Sequence, residues 1–140
     1  YLPEALVNFI AFLGWNPGTE QELFTLVELE EAFSLEKVSK SASVFNREKL
    51  VWYNQQYIRN LTNAELAERC VPFFKDAGLD VSDMEFLEKV VGLEKDRAET
   101  LADIPKAVSF VYILPEYDEN MLAWKKSTLE DAKNKLSEFL

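Results

Sequence analysis

The 140-residue chain has no histidine and one cysteine, and it is poor in glycine (4) and proline (5). Without histidine it lacks the commonest general base, the usual serine and cysteine triads and most transition-metal ligand sets. A lone Cys70 excludes an intrachain disulfide and a cysteine-based metal cluster, and its plain reading is a buried helix thiol. Few glycines and prolines exclude collagen-like or loop-dominated designs. No repeat of about 20 to 50 residues recurs, and no apolar run reaches the roughly 18 residues of a membrane span. The most apolar stretch, Ala5–Leu13, follows no basic residue and contains Asn8, so it does not read as a signal peptide. The expectation is a cytoplasmic protein that does not engage a membrane. The carboxylates are scattered and form no evident acid/base pair, so no catalytic residue and no metal ligand is assigned.

What is present describes a folded protein. The chain is 48% hydrophobic and 13% aromatic, enough apolar surface to offset the entropy of ordering, and 29% of its residues are charged. The net charge of -10 is unfavourable for a nucleic-acid binder as an average, but it is unevenly spread. Residues 1–36 hold seven Glu and no Lys or Arg, and residues 61–140 are again acidic. Between them, residues 37–60 carry Lys37, Lys40, Arg47, Lys49 and Arg59 against Glu48 alone.

The local signals are helical. Pro3 suits a first helical turn, and Leu6, Phe9, Ile10 and Leu13 share one face of a helix over 3–13 that Gly14 would close in the left-handed conformation. Trp15-Asn16-Pro17-Gly18 reads as a turn. Thr25 with Glu28, Thr62 with Glu65 and Ser82 with Glu85 have capping-box spacing, and Asn46 can cap a helix running to about Arg59. Gly78 should end the helix that contains Pro72, a residue that either kinks it or marks a restart. Thr100 precedes a helical stretch to about Tyr112 with Pro105 near its first turn, although Val108–Leu114 is rich enough in β-branched and aromatic residues to be extended. Ser127 is placed to cap a last amphipathic helix through Leu129, Ala132, Leu136 and Phe139. The fold class is all-α, an irregular bundle of about seven or eight short helices. Both termini fall in or beside helices with no linker, which reads as a fragment of a longer polypeptide.

Residues 37–41 read KVSKS, a string that resembles the KMSKS loop of class I aminoacyl-tRNA synthetases. That loop works beside a nucleotide-binding α/β domain with a histidine-containing motif, and neither is present, so Lys37 and Lys40 are left as phosphate contacts or solvated side chains. Next, Phe45, Trp52, Tyr53 and Tyr57 interleave with Arg47, Lys49 and Arg59. Cations that neutralise phosphates beside planes that stack on unpaired bases suit RNA. The same spacing also suits aromatics packed in a core behind a wet cationic face.

Three long segments carry a family resemblance. YLPEALVNFIAFLGWNPG (1–18), FSLEKVSKSASVFNREKLVWYNQQYIRNL (33–61) and LEKDRAETLADIPKAVSFVY (93–112) resemble bacterial-type glutamyl-tRNA synthetase beyond its catalytic loop. The resemblance implies a class I synthetase helical anticodon-binding architecture, with a stem-contact segment over 1–61 and a first anticodon-binding subdomain over 62–140. It implies glutamate-accepting tRNA as partner, a monomer, no DNA, and a parent ligase whose catalytic domain, served by ATP and magnesium, lies outside the chain. It further implies that Lys49 and Trp52 match tRNA-contacting positions in the KLxW string and that Arg97 matches an arginine discriminating the third anticodon base; Lys37, Lys40, Arg47 and Arg59 are added to the expected tRNA-binding surface from their charge and spacing. A helical protein-protein interaction module remains the alternative, separable by the salt dependence of RNA binding. An independent small enzyme would need a constellation that the sequence lacks.

Overall fold

Five side chains set where helices begin. In the computed structural model, which describes residues 1–138 except 42, 124 and 126, Thr25, Asn46, Thr62, Asp83 and Thr128 each accept a hydrogen bond from the backbone N–H three residues on. These bonds satisfy one of the donors that every helix start leaves open. The helices they open are α2 (Leu26–Ala32), α3 (Arg47–Asn60), α4 (Asn63–Asp76), α5 (Met84–Glu94) and α7 (Leu129–Ser137). Helix α1 (Pro3–Phe12) begins at its proline, and α6 (Asp103–Val108) follows a run of turns. Short 3-10 turns occupy Leu35–Lys37, Ser109–Val111 and Glu119–Leu122. Among the described residues no strand forms; one isolated antiparallel bridge joins Trp15 to Val38.

The expected capping boxes of Thr25 with Glu28 and Thr62 with Glu65 are both complete. Two other caps shift by one residue. Asp83 rather than Ser82 caps α5, because the Ser82 hydroxyl is engaged with Asp80 Oδ2 at 2.8 Å while Asp83 Oδ1 accepts from Phe86 N at 2.9 Å. Thr128 rather than Ser127 caps α7, accepting from Asp131 N at 3.2 Å. Phe139, expected on that helix, lies outside the described residues. Thr100 bonds Asp103 Oδ2 through its N–H (3.0 Å) and hydroxyl (2.6 Å), and α6 starts at Asp103 rather than directly after Thr100. Val108–Leu114 is not extended: it passes through a 3-10 turn in which Ser109 C=O accepts from both Tyr112 N and Ile113 N.

Glycine and proline also behave unevenly. Gly78 adopts φ +72 and closes α4, with Leu79 N donating to Phe74 C=O at 2.9 Å. Gly14 does not take a left-handed conformation; its carbonyl instead accepts Ser39 N at 2.6 Å, which ties the end of α1 to the KVSKS segment. Pro72 sits inside α4 without ending it, so the restart considered from sequence does not occur.

One core joins both halves of the chain. Leu2, Ala5 and Phe9 of the α1 region, Leu50, Tyr53 and Ile58 of α3, Leu66, Cys70 and Phe74 of α4, Leu87 and Val91 of α5, and Ile104 and Val108 of α6 form a continuous apolar cluster. Trp15, Phe24 and Leu29 make a smaller second cluster under α2. The buried face of α1 is therefore Ala5, Asn8 and Phe9, with Leu6 and Leu13 half-buried; Ile10, expected inside, is 59% exposed. Cys70 is buried as expected, and burial pushes its thiol up to about 12.

Two buried asparagines cross-link the elements. Asn54 on α3 accepts Leu2 N at 2.7 Å and donates to Glu99 C=O at 2.6 Å, holding the α1 start and the α5–α6 connection to one helix. Asn8 on α1 donates to Glu22 C=O at 3.0 Å and accepts Phe24 N at 2.8 Å, which fixes the loop before α2. Both satisfy backbone groups that would otherwise be costly to bury.

Candidate nucleic-acid interface

The cation-rich segment folds into two different environments. Residues 37–41 lie against the end of α1, where the Trp15–Val38 bridge, the Ser39 N to Gly14 C=O bond and a 2.9 Å bond from Lys37 Nζ to Pro17 C=O fasten the segment down. Lys37 thus works on the Asn16-Pro17-Gly18 turn, whose own geometry is closed by Gly18 N donating to Asn16 Oδ1 at 2.7 Å. Lys40 lies beyond these contacts and is exposed.

Helix α3 carries the remaining candidates of the segment. At about 1.5 Å per residue, Arg47 and Arg59 stand roughly 18 Å apart along the axis, so they cannot meet at one phosphate. Arg47 is exposed at the first turn of α3. Lys49 is held: its Nζ lies 2.7 Å from both carboxylate oxygens of Glu22 and 4.5 Å from the Trp52 ring centroid. The ammonium is thereby placed against an aromatic face, an attraction that strengthens where water is partly excluded.

The aromatics divide in the same way. Tyr53 is wholly buried, and burial first, then the Glu22 charge and Tyr57, push its hydroxyl well above the ordinary tyrosine value. Tyr57 is half-buried, its hydroxyl within reach of Asn8 Oδ1 (2.7 Å) and Phe24 C=O (2.6 Å), so it braces the α1–α2 loop. Trp52 is half-buried and packs edge-on to Tyr53 with centroids 5.1 Å apart. Phe45, at 63% exposure, meets Phe9 edge-to-face at 5.1 Å and still presents a ring to solvent. The surface open to a base is therefore Phe45 and the rim of Trp52, while Tyr53 and Tyr57 serve the core.

Arg59 and Arg97 are brought together by one turn. Arg59 donates through Nε (3.2 Å) and Nη2 (2.6 Å) to the carbonyl of Asp96, the residue before Arg97. Arg97 is 79% exposed and makes one ion pair, Nη1 to Glu94 Oε1 at 3.3 Å. It borders a shallow cavity of about 200 Å³ that also receives Glu94, Ala98, Glu99 and Asp103. Sequence reasoning did not find Glu22 or the cross-linking role of Asn8. Asn8 was visible as a polar residue in an apolar run, whereas nothing local marks Glu22 as the partner of a lysine 27 residues away.

Among the described residues no group of three or more His, Cys, Asp or Glu side chains is placed to hold a metal ion. No described helix is long and apolar enough to cross a membrane.

Comparison with known proteins identifies both halves. Residues 65–140 match the family model described as an anticodon binding domain, and residues 1–52 match that of the class I (E and Q) tRNA synthetase catalytic domain. The latter family thus extends through α1, α2 and the first part of α3, which the sequence alone had placed beyond the catalytic core. A glutamate-tRNA ligase of Phocaeicola vulgatus is 41% identical over 139 residues, covering 99% of this chain and 27% of that protein. One of Desulforudis audaxviator is 41% identical over 125 residues, covering 85% of this chain and 25% of that protein. A crystal structure of a glutamate tRNA ligase from Elizabethkingia meningosepticum, in complex with its amino acid, superposes with a TM-score of 0.85 at 34% identity over 99% of this chain and 28% of that one. The chain spans about a quarter of the length of the curated relatives it matches. With an anticodon-binding match across more than half of its residues and glutamate-tRNA ligases aligned along its length, the chain belongs to the anticodon-binding domain family and is homologous to glutamate-tRNA ligases.

Proposed function

We propose that this chain is the tRNA-holding portion of a glutamate-tRNA ligase. It grips glutamate-accepting tRNA while ATP-dependent attachment of glutamate takes place elsewhere in the polypeptide. The observation that carries this reading is the match to glutamate-tRNA ligases over 99% of the chain. The exposure of Lys40 and of Arg47, the latter on the same helix turn region as the Lys49–Trp52 pair, in a segment cationic within an acidic chain, supports a phosphate-facing surface. In this reading residues 1–61 contact the tRNA stem, residues 62–140 form the anticodon-binding subdomain, and Arg97 reaches an unstacked anticodon base. A guanidinium offers donors only, so it suits the O2 and N3 acceptors of cytosine and meets a donor on the N1 edge of guanine.

ATP and magnesium belong to the proposed parent activity, and among the described residues no group of three or more His, Cys, Asp or Glu side chains is placed to hold a metal ion. Lys37 of the KVSKS string is committed to Pro17 C=O, and no acidic cluster faces it among the described residues. The parent is proposed to be a cytoplasmic monomer that does not take DNA as its partner.

A second reading, a helical protein-interaction module, draws on an apolar cleft of about 480 Å³ between α1 and α2, lined by Val7, Ile10, Leu26, Leu29 and Phe33. Titration of the chain with a glutamate-accepting tRNA transcript over a salt series separates the two. Phosphate contacts make log K fall linearly with log salt, by roughly 0.7 to 0.9 per phosphate neutralised. The absence of salt-dependent binding would overturn the tRNA-holding role.

A further inference from the structure

Lys49 is the cation at which the proposed RNA surface is most ordered, and in this structure it already has an anion. Glu22 places both carboxylate oxygens 2.7 Å from Lys49 Nζ. The carboxylate is not there by chance of a floppy loop. The Glu22 carbonyl is held at 3.0 Å by Nδ2 of buried Asn8, and two residues on, Phe24 N is held by the Asn8 oxygen at 2.8 Å. Tyr57 closes the same network from α3. Glu22 and Lys49 are each a little under half exposed, at 44% and 39%, so the pair faces solvent and a larger anion can approach it.

We propose that Glu22 stands in for an RNA phosphate: it keeps Lys49 ordered over Trp52 in the free chain and yields the ammonium to a backbone phosphate when tRNA docks. The inference rests on the tRNA-holding reading above and assigns its regulation to one residue. Two consequences have opposite signs. Ordering Lys49 in advance removes part of the side-chain entropy cost of the phosphate contact. Neutralising it sets a threshold, because an incoming phosphate must displace a tethered carboxylate. A single phosphate gains only one contact by doing so, whereas a folded RNA that also reaches Arg47 and Lys40 gains several at once. Glu22 is therefore a positioning residue that favours an extended polyanion over small anions.

The test is a double-mutant cycle read by tRNA affinity and its salt slope. Glu22→Gln should tighten binding of a glutamate-accepting tRNA transcript about two- to fivefold, the range open to an ion pair of this exposure. It should also steepen the salt slope, since Lys49 then meets phosphate without shedding an internal partner. In a Lys49→Ala background the same substitution should change neither quantity. Glu22→Asp, which retains the charge on a shorter arm, should show a smaller tightening and serves for the cycle if the Gln variant is poorly folded. Equal tightening with and without Lys49 would mean that Glu22 acts only as a diffuse negative charge and would overturn the proposal. Weakening by Lys49→Ala with no effect of either Glu22 substitution would also overturn it, because Lys49 would then engage RNA while still paired. If wild type and all variants show no salt-dependent binding, the tRNA-holding reading itself fails, an outcome distinct from the other two.

Discussion

Arg59 closes on the backbone carbonyl of Asp96 with two guanidinium nitrogens, at 3.2 and 2.6 Å, across 37 residues of sequence. The last turn of α3 thereby holds the turn that displays Arg97. A residue expected to sit on the stem-binding surface is thus tied to the anticodon-proposed loop. Arg59→Ala should speed hydrogen exchange at Arg97 N and Ala98 N, both of which donate to Glu94 C=O at 2.9 Å, while leaving the amides of α4 protected. Unchanged protection at those two amides would show that the turn stands without Arg59.

Asn54 is the buried polar link among α1, α3 and the α5–α6 connection. Asn54→Leu would strand Leu2 N and Glu99 C=O away from water, and each unsatisfied group costs about 1 to 3 kcal/mol. A loss of roughly 2 kcal/mol or more should be visible as a lowered urea midpoint at unchanged m-value. A shift below about 0.5 kcal/mol, the size typical of an uninvolved surface site, would contradict this role.

How far the residues alone reveal such links depends on distance along the chain. Thr25 with Glu28 and Thr62 with Glu65 were legible because a capping box is a local pattern spanning four residues. Asp83 and Thr128 were missed in favour of their neighbours Ser82 and Ser127, since adjacent capping types differ only in what their side chains find nearby, here Asp80 for Ser82. Ile10 was misread because periodicity describes a preference that packing overrides, whereas for Val108–Leu114 the helical reading rather than the extended alternative holds through the 3-10 turn. The cationic character of 37–60 was legible in composition. That Lys37, Lys49 and Arg59 are each committed to Pro17, Glu22 and Asp96 was not, because the partners lie 20 to 37 residues away.

Cys70 offers a check on the core that needs no RNA. Its thiol is raised from an ordinary value of 9.0 to about 12 by burial, so the folded chain should resist a thiol-specific reagent at pH 8, and the unfolded chain should react fully. The sign of the linkage follows: this contribution to stability is intact below about pH 9 and is lost as pH rises toward 12. Rapid labelling of folded protein at pH 8 would place Cys70 outside the core.

Arg97 carries the proposed base recognition. In the proposed full-length ligase, Arg97→Gln should narrow the preference for glutamate over glutamine tRNA by roughly 1 to 2 kcal/mol, the scale of a charge-assisted hydrogen bond. Its 3.3 Å pair with Glu94 is open to solvent on the arginine side and should contribute under about 1 kcal/mol to stability. If selectivity is unchanged in a folded variant, Arg97 is a surface ion-pair residue only.

Lys40 bears on the KVSKS string. Its exposure and the structural engagement of Lys37 make this segment a surface turn fastened to α1, so Lys40→Ala in the full-length ligase should leave ATP-pyrophosphate exchange intact. Loss of exchange with tRNA binding and folding preserved would reassign the string as catalytic.

The central claim, that the chain holds tRNA by its stem and anticodon, is tested most directly by nuclease protection of a glutamate-accepting tRNA transcript. The account predicts protection confined to the inner side of the tRNA bend and the anticodon loop, weakening as salt is raised. Absence of protection, or protection elsewhere on the tRNA that is indifferent to salt, would contradict it.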